Sequence, residues 1–161
     1  MHPPIGVPPK LTLILDDVRS IYNVGSAFRT ADAVGVGEII LAGFTPGPDT
    51  HPERIEKTAL GAQRSVSWRR VRRAGDAVRK LRARGAMAVA LEVGEGAIDY
   101  RKLKPMWPLV VVVGNEVKGV RASMSHNVDS IVRIPMRGTK ESLNVSVALG
   151  IALYEFSRRW K

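Results

Sequence analysis

The run Leu109-Val110-Val111-Val112-Val113, followed at once by Gly114-Asn115-Glu116-Val117-Lys118-Gly119, decides how this chain folds. Apolar residues in succession, without polar alternation, describe a strand buried on both faces, as at the centre of a parallel sheet. Working outward, Leu11-Thr12-Leu13-Ile14-Leu15 reads as another buried strand, ending at Asp16-Asp17. Asn23 is placed to cap a helix over Gly25–Val34, which Gly35 and Gly37 stop. Glu38–Leu41 reads as a strand, Pro46-Gly47-Pro48 with His51-Pro52 as a loop, and Glu53–Leu60 as a helix. A helix over Asp76–Arg84, closed by Gly85, precedes strands at Ala86–Leu91 and Ile131–Ile134. The last helix starts near Ser142, with Val145, Leu149, Ala152, Leu153, Phe156 and Trp160 at helical spacing. The alternation predicts one α/β domain over 11–161, a mainly parallel sheet flanked by helices, after a short tail at 1–10.

Composition narrows the class. The chain has 161 residues, 45% of them hydrophobic, enough for one core without a covalent staple. Zero cysteines exclude thiolate metal sites, disulfides and cysteine nucleophiles. His2, His51 and His126 have no metal-site spacing, so no metal is expected. The apolar runs fall far short of the ~20 residues of a membrane span. The start Met1-His2-Pro3-Pro4-Ile5-Gly6 lacks the basic and apolar regions of a signal peptide, which predicts a cytoplasmic protein with no membrane contact. Lys and Arg number 25 against 15 Asp and Glu, a net charge of +10 that favours a polyanionic partner. Much of it lies in Arg69, Arg70, Arg72, Arg73, Arg79, Lys80, Arg82 and Arg84, which reads either as a solvated helix face or as a phosphate-facing surface.

Three segments are not explained by packing, and each follows a strand, where open α/β sheets place their ligands. They are Asn23-Val24-Gly25-Ser26-Ala27-Phe28-Arg29, Gly114 to Gly119, and Ile134-Pro135-Met136-Arg137-Gly138 with Ser142-Leu143-Asn144-Val145-Ser146. Taken singly, Asn23 and Ser142 also read as helix N-caps, Glu116 as a solvated turn residue, and Gly114 and Gly119 as turn formers. Gly94-Glu95-Gly96 lacks the third glycine of a dinucleotide loop, and the P-loop pattern is absent.

Taken together, Asn23, Gly25 and Arg29, then Gly114, Glu116 and Gly119, then Ile134–Met136 and Ser142–Ser146 resemble the three motifs of the SpoU/TrmH-type RNA methyltransferases of the SPOUT superfamily. The likeness runs from about Leu11 to about Phe156. It implies a deep trefoil knot at the C-terminal end, a rare exception to the rule that chains do not knot. It also implies S-adenosylmethionine as cofactor, a homodimer with the site near its interface, and methyl transfer to a ribose 2′-hydroxyl of tRNA or rRNA. The implied cofactor-binding residues are Leu91, Glu92, Gly114, Asn115, Glu116, Gly119, Ile134, Met136, Ser142, Leu143 and Asn144. The implied catalytic set is Arg29, Asn23, Glu116, Ser142 and Asn144. In the family the motif arginine is held to accept the hydroxyl proton. Guanidinium groups keep their proton in proteins, so anchoring a phosphate and stabilising the developing alkoxide is the physically easier task.

The basic stretch, with Arg54, Lys57 and Arg64, then reads as an RNA-facing surface: Arg29, Arg54, Lys57, Arg64, Arg69, Arg70, Arg72 and Arg73. Lys57-Thr58-Ala59-Leu60-Gly61-Ala62 also resembles the family between its first two motifs. After Gly119 the family often continues with Leu and a small polar residue, where this chain has Val120-Arg121. An apolar face of the last helix, including Phe156 and Trp160, offers a dimer contact, although core packing explains those residues as well. Methylation of a base nitrogen and a non-catalytic RNA-binding role on the same fold remain the alternatives.

Overall fold

The computed structural model describes residues 10–159. Seven strands form one sheet: β1 (Leu11–Asp16), β2 (Glu38–Ala42), β3 (Ser67–Val71), β4 (Met87–Leu91), β5 (Ile98–Asp99), β6 (Leu109–Val113) and β7 (Ser130–Arg133). Their order is β3-β2-β1-β6-β4-β7-β5, and every neighbouring pair is parallel. The apolar run at β6 lies between β1 and β4 and is buried throughout, as its lack of alternation requires. The helices are α1 (Ile21–Val34), α2 (Pro52–Ala59), α3 (Ala62–Ser65), α4 (Ala74–Ala83) and α5 (Val145–Ser157).

The period of two along the strands divides the core into layers. Leu11, Leu13, Leu15, Leu109, Val111 and Val113 pack with Phe28, Leu149, Leu153 and Phe156 on one face. Ile14, Ile40, Val110 and Val112 pack against Val78 and Leu81 of α4 on the other. Strand order reverses between β1 and β6, where Leu15 pairs with Val113. All strands run the same way, so the segments after β1, β4, β6 and β7 emerge along one edge, and the reversal opens the crevice where such sheets bind ligands.

Several expected boundaries move. Asn23 lies inside α1; Ser20 is the N-cap, its hydroxyl accepting from the Asn23 N–H at 3.2 Å. Likewise α5 starts after Asn144, whose side chain accepts from Ser146 and Val147, so Ser142 caps nothing. The arginine-rich stretch is not one helix face: residues 67–71 form an edge strand paired only with β2. Phe156 is buried in the core, which removes it from any contact surface, and Trp160 lies outside the described residues. Most of the tail at 1–10 also lies outside them. Among the described residues no helix is long and apolar enough to cross a membrane.

Candidate active site

The loop after β6 closes on itself. Asn115 and Gly119 exchange backbone hydrogen bonds of 3.1 and 2.8 Å, and the Asn115 side chain accepts from Val117 and Lys118. Two glycines make this possible. A Cβ on Gly114 would overlap the Gly119 carbonyl, and Gly119 has a φ of +69°, where a Cβ would overlap the Glu92 carboxylate. Glu92, just past β4, accepts from the N–H groups of Val93 (2.7 Å) and Val120 (2.6 Å), which ties the segment after β4 to the loop after β6.

Glu116 makes the next connection. Its carboxylate accepts from the backbone N–H groups of Arg19 (3.0 Å) and Ser20 (2.9 Å) and from Asn23 Nδ2 (3.1 Å). Asn23 Oδ1 in turn accepts from Asn144 Nδ2 at 3.2 Å, and Asn144 Oδ1 accepts from the first turn of α5. This chain of side chains joins the three sequence motifs across separations of 93 and 121 residues. Burial pushes the Glu116 carboxyl up, but the hydrogen bonds from Ser20, Arg19 and Asn23 outweigh it and hold the group below the usual glutamate range. Glu116 is therefore an ionised tether at neutral pH.

Between these segments lies a cavity of about 360 Å³, within the range of small-molecule sites. All eleven residues that the resemblance assigned to cofactor binding line it: Leu91, Glu92, Gly114, Asn115, Glu116, Gly119, Ile134, Met136, Ser142, Leu143 and Asn144. Sequence reasoning did not assign Val93, Val113, Val117, Lys118, Arg133, Glu141, Val145 and Ala148, which also line it. Arg133 and Glu141 sit close to the third motif in sequence, and that adjacency was the available signal. Apolar walls from Leu91, Ile134, Met136 and Leu143 stand beside the carboxylates of Glu92, Glu116 and Glu141, an environment suited to an adenosine carrying a positive sulfonium.

Not every expected residue gathers here. Asn23 touches the wall only through Glu116 and Asn144. Arg29 is exposed, about 9 Å further along α1, does not line the cavity and makes no ion pair among the described residues. It sits on the helix that packs beside α5.

The expected RNA-facing cations divide into two kinds. Arg64 pairs with Glu56 at 2.8 Å, and Arg69 with Glu38 at 2.8 Å. Arg70 holds Asp49 through two hydrogen bonds of 2.9 and 2.7 Å and also donates to the Thr45 carbonyl. Arg54, Lys57, Arg72 and Arg73 are exposed and form no ion pair among the described residues.

The profile of the SpoU rRNA Methylase family matches residues 10–154. The chain is 36% identical over 154 residues to a tRNA (guanosine(18)-2'-O)-methyltransferase of Escherichia coli K12, covering 94% of this chain and 64% of that protein. Among solved structures, an AdoMet-bound rRNA methyltransferase from Sinorhizobium meliloti superposes with a TM-score of 0.86 at 33% identity, covering 100% of this chain and 59% of the other. A TrmH/SpoU tRNA-modifying enzyme of A. aeolicus superposes with a TM-score of 0.84 at 31% identity, over 93% of this chain and 75% of the other. The chain thus spans less than two thirds of the length of the curated relatives it matches.

Proposed function

The chain belongs to the SpoU rRNA Methylase family, and on that premise we propose that it is a cytoplasmic RNA methyltransferase that carries a methyl group from S-adenosylmethionine to a ribose 2′-hydroxyl of tRNA or rRNA. The observation that carries this reading is the convergence of the three motifs, through Glu116, Asn23 and Asn144, on one cavity lined by every residue the family pattern assigns to the cofactor. The cavity walls fit that cofactor. Leu91, Ile134, Met136 and Leu143 suit its adenosine, and the carboxylates of Glu92, Glu116 and Glu141, which outnumber the cations Lys118 and Arg133, suit its positive charge.

When bound, S-adenosylmethionine supplies a methyl group already activated by its sulfonium. What remains for the protein is to place the sugar oxygen in line with that methyl at ~3 Å and to ease the departure of the hydroxyl proton. Glu116 keeps the cavity wall fixed, because its oxygens are already engaged by three donors. Ser142 and Asn144, polar residues that line the cavity, are assigned to shaping its substrate side. Arg29, exposed and unpaired among the described residues, anchors the target's phosphate through its planar fork and stabilises the developing alkoxide, while the hydroxyl proton passes to solvent water.

Because Arg29 stands off the cavity, the reading includes a second copy of the chain. Val147, Ile151 and Tyr154 form an exposed apolar stripe on α5 at helical spacing, beside α1, and they take the place of Phe156 as the dimer contact. The reading also includes the trefoil knot, with the chain after β7 threaded past the Gly114–Gly119 loop.

The test is methyl transfer from isotopically labelled S-adenosylmethionine to bulk tRNA and to deproteinised rRNA, followed by nuclease digestion and mass spectrometry. The label is expected on a 2′-O-methylated nucleoside. Label on a base, or none transferred, contradicts the proposal. Arg29→Lys is expected to lose about a hundred-fold in kcat while binding the cofactor normally, because a point charge cannot reproduce the planar fork.

A further inference from the structure

Along the same sheet edge, the β2–α2 loop presents Phe44, 75% exposed, whereas Phe28 and Phe156 are buried. The exposure is built in by the backbone around it. Gly43 has a φ of +63°, and a side chain there would overlap the Asp17 carboxylate. Asp17, itself at a φ of +55°, accepts the Phe44 N–H at 2.8 Å. On the other side Thr45 is buried: its hydroxyl accepts from the Val18 N–H and bonds the carbonyls of Leu15 and Ala42 at 3.0 and 2.8 Å. Both flanks of Phe44 are thereby pinned, and the ring projects because the chain holds it there.

A cation lies on this ring. The Arg19 guanidinium carbon stands 4.9 Å from its centroid, and Arg19 forms no ion pair among the described residues. The backbone N–H of Arg19 donates to Glu116, and Asn115 donates to the carbonyl of Asp17, whose carboxylate holds the Phe44 N–H; the pair is thus hydrogen-bonded to residues of the cavity wall without lining the cavity itself. A large apolar ring left in water contributes little to folding, and a rigid ring topped by guanidinium is how single-stranded RNA bases are held without regard to sequence.

We propose that Phe44 and Arg19 form a stacking platform for an unpaired nucleobase next to the nucleotide whose ribose enters the cavity. The inference rests on the methyltransferase reading above. The strongly basic chain and the Arg19 guanidinium, which forms no ion pair among the described residues, favour a base of a polyanion over a protein segment as the occupant. Stacking on a platform beside the cavity extrudes the neighbouring nucleotide from its helix and fixes its sugar; binding here and chemistry in the cavity are then separable.

Phe44→Leu keeps apolar bulk and removes the π face, while Phe44→Trp keeps the face. With bulk tRNA and deproteinised rRNA as substrates, Phe44→Leu is expected to raise the RNA KM about ten-fold or more, leaving the KM for S-adenosylmethionine unchanged; Phe44→Trp stays near the parent. A short single-stranded RNA carrying 2-aminopurine should lose fluorescence on the parent and on Phe44→Trp, and keep it on Phe44→Leu. An unchanged RNA KM and unchanged quenching in Phe44→Leu overturn the platform, as does a change of molecular mass in that variant, which would place the ring in a protein contact. The two readings separate cleanly. A parent that quenches the probe through Phe44 yet methylates no RNA contradicts the methyltransferase and keeps the platform, whereas a Phe44→Leu variant that methylates RNA as well as the parent does contradicts the platform alone.

Discussion

At Asn23 the direction of each hydrogen bond is set from both ends. A carboxylate accepts only, so Nδ2 must point at Glu116; the α5 N–H groups donate only, so Asn144 turns its oxygen to them and its amide to Asn23 Oδ1. Asn23→Asp puts an acceptor against the Glu116 carboxylate and is expected to lower stability by about 1–3 kcal/mol, measured by urea unfolding at neutral pH. Glu116 adds a pH dependence whose sign follows from its depressed folded-state pKa. Its contribution is fully present above the ordinary glutamate value and is lost as pH falls through the folded one. The stability gap between the parent and Glu116→Gln is expected to be open at pH ~7 and to close below pH ~4; a gap that widens on acidification contradicts the tether. The sequence revealed that Asn23, Glu116 and Asn144 were polar residues in suspicious places. It could not reveal that they touch, because residues 93 and 121 positions apart meet only through strand order.

Elements carry the argument where two backbones approach. Gly25 of α1 faces α2, and a Cβ there would overlap the Thr58 hydroxyl and come within 2.9 Å of the Ile55 carbonyl. Gly25→Ala is therefore expected to cost about 1–3 kcal/mol as overpacking. Gly25→Ala with Thr58→Ala should recover part of that loss in thermal melts and not all of it, since the Ile55 carbonyl stays. At α5, Asn144→Ala removes the cap and the link to Asn23 together, and the loss is expected to exceed the ~1 kcal/mol of an ordinary cap. The core strands β1 and β6 were legible because a Leu-rich run, interrupted in β1 only by Thr12, and the unbroken apolar run of β6 need burial on both faces. The starts of α1 and α5 were not: Ser20 and Asn144 cap as well as Asn23 and Ser142 could, and tertiary hydrogen bonds to Glu116 and Asn23 decide between them. Strand β3 escaped notice because an edge strand bearing Arg69 and Arg70 lacks the apolar content by which strands are recognised.

Over the whole molecule, net charge proves a coarse guide and ion pairing a finer one. Asp76 was the acidic residue visible within the arginine-rich stretch, yet folding brings Glu38, Asp49 and Asp129 against Arg69, Arg70 and Arg82. Charge reversal at Arg72 and Arg73 is therefore expected to weaken RNA binding and flatten its salt dependence by about two ions, with stability kept. Reversal at Arg70 should instead destabilise the fold, since it leaves Asp49 and the Thr45 carbonyl without their donor. Filter binding across a salt series, set beside melting curves, separates the two. At the same scale, the proposed dimer requires that Val147→Glu with Ile151→Glu reduce the molecular mass in solution by half without unfolding the chain, as read by sedimentation; a mass equal to one chain in the parent contradicts that contact. Eleven of the residues lining the cavity were anticipated through the resemblance to the family's motifs, and strand-end geometry marked only the segments they lie in; Arg133 and Glu141, outside those motifs, were not.

Three distant segments meet as the wall of one cavity, and the proposed function requires that S-adenosylmethionine bind there. Hydrogen–deuterium exchange with and without S-adenosylhomocysteine reads this directly. Added ligand is predicted to slow exchange together in residues 91–94, 114–120 and 134–145, the stretches that meet around the cavity. Protection confined to one of them, or appearing on a different face, would contradict it.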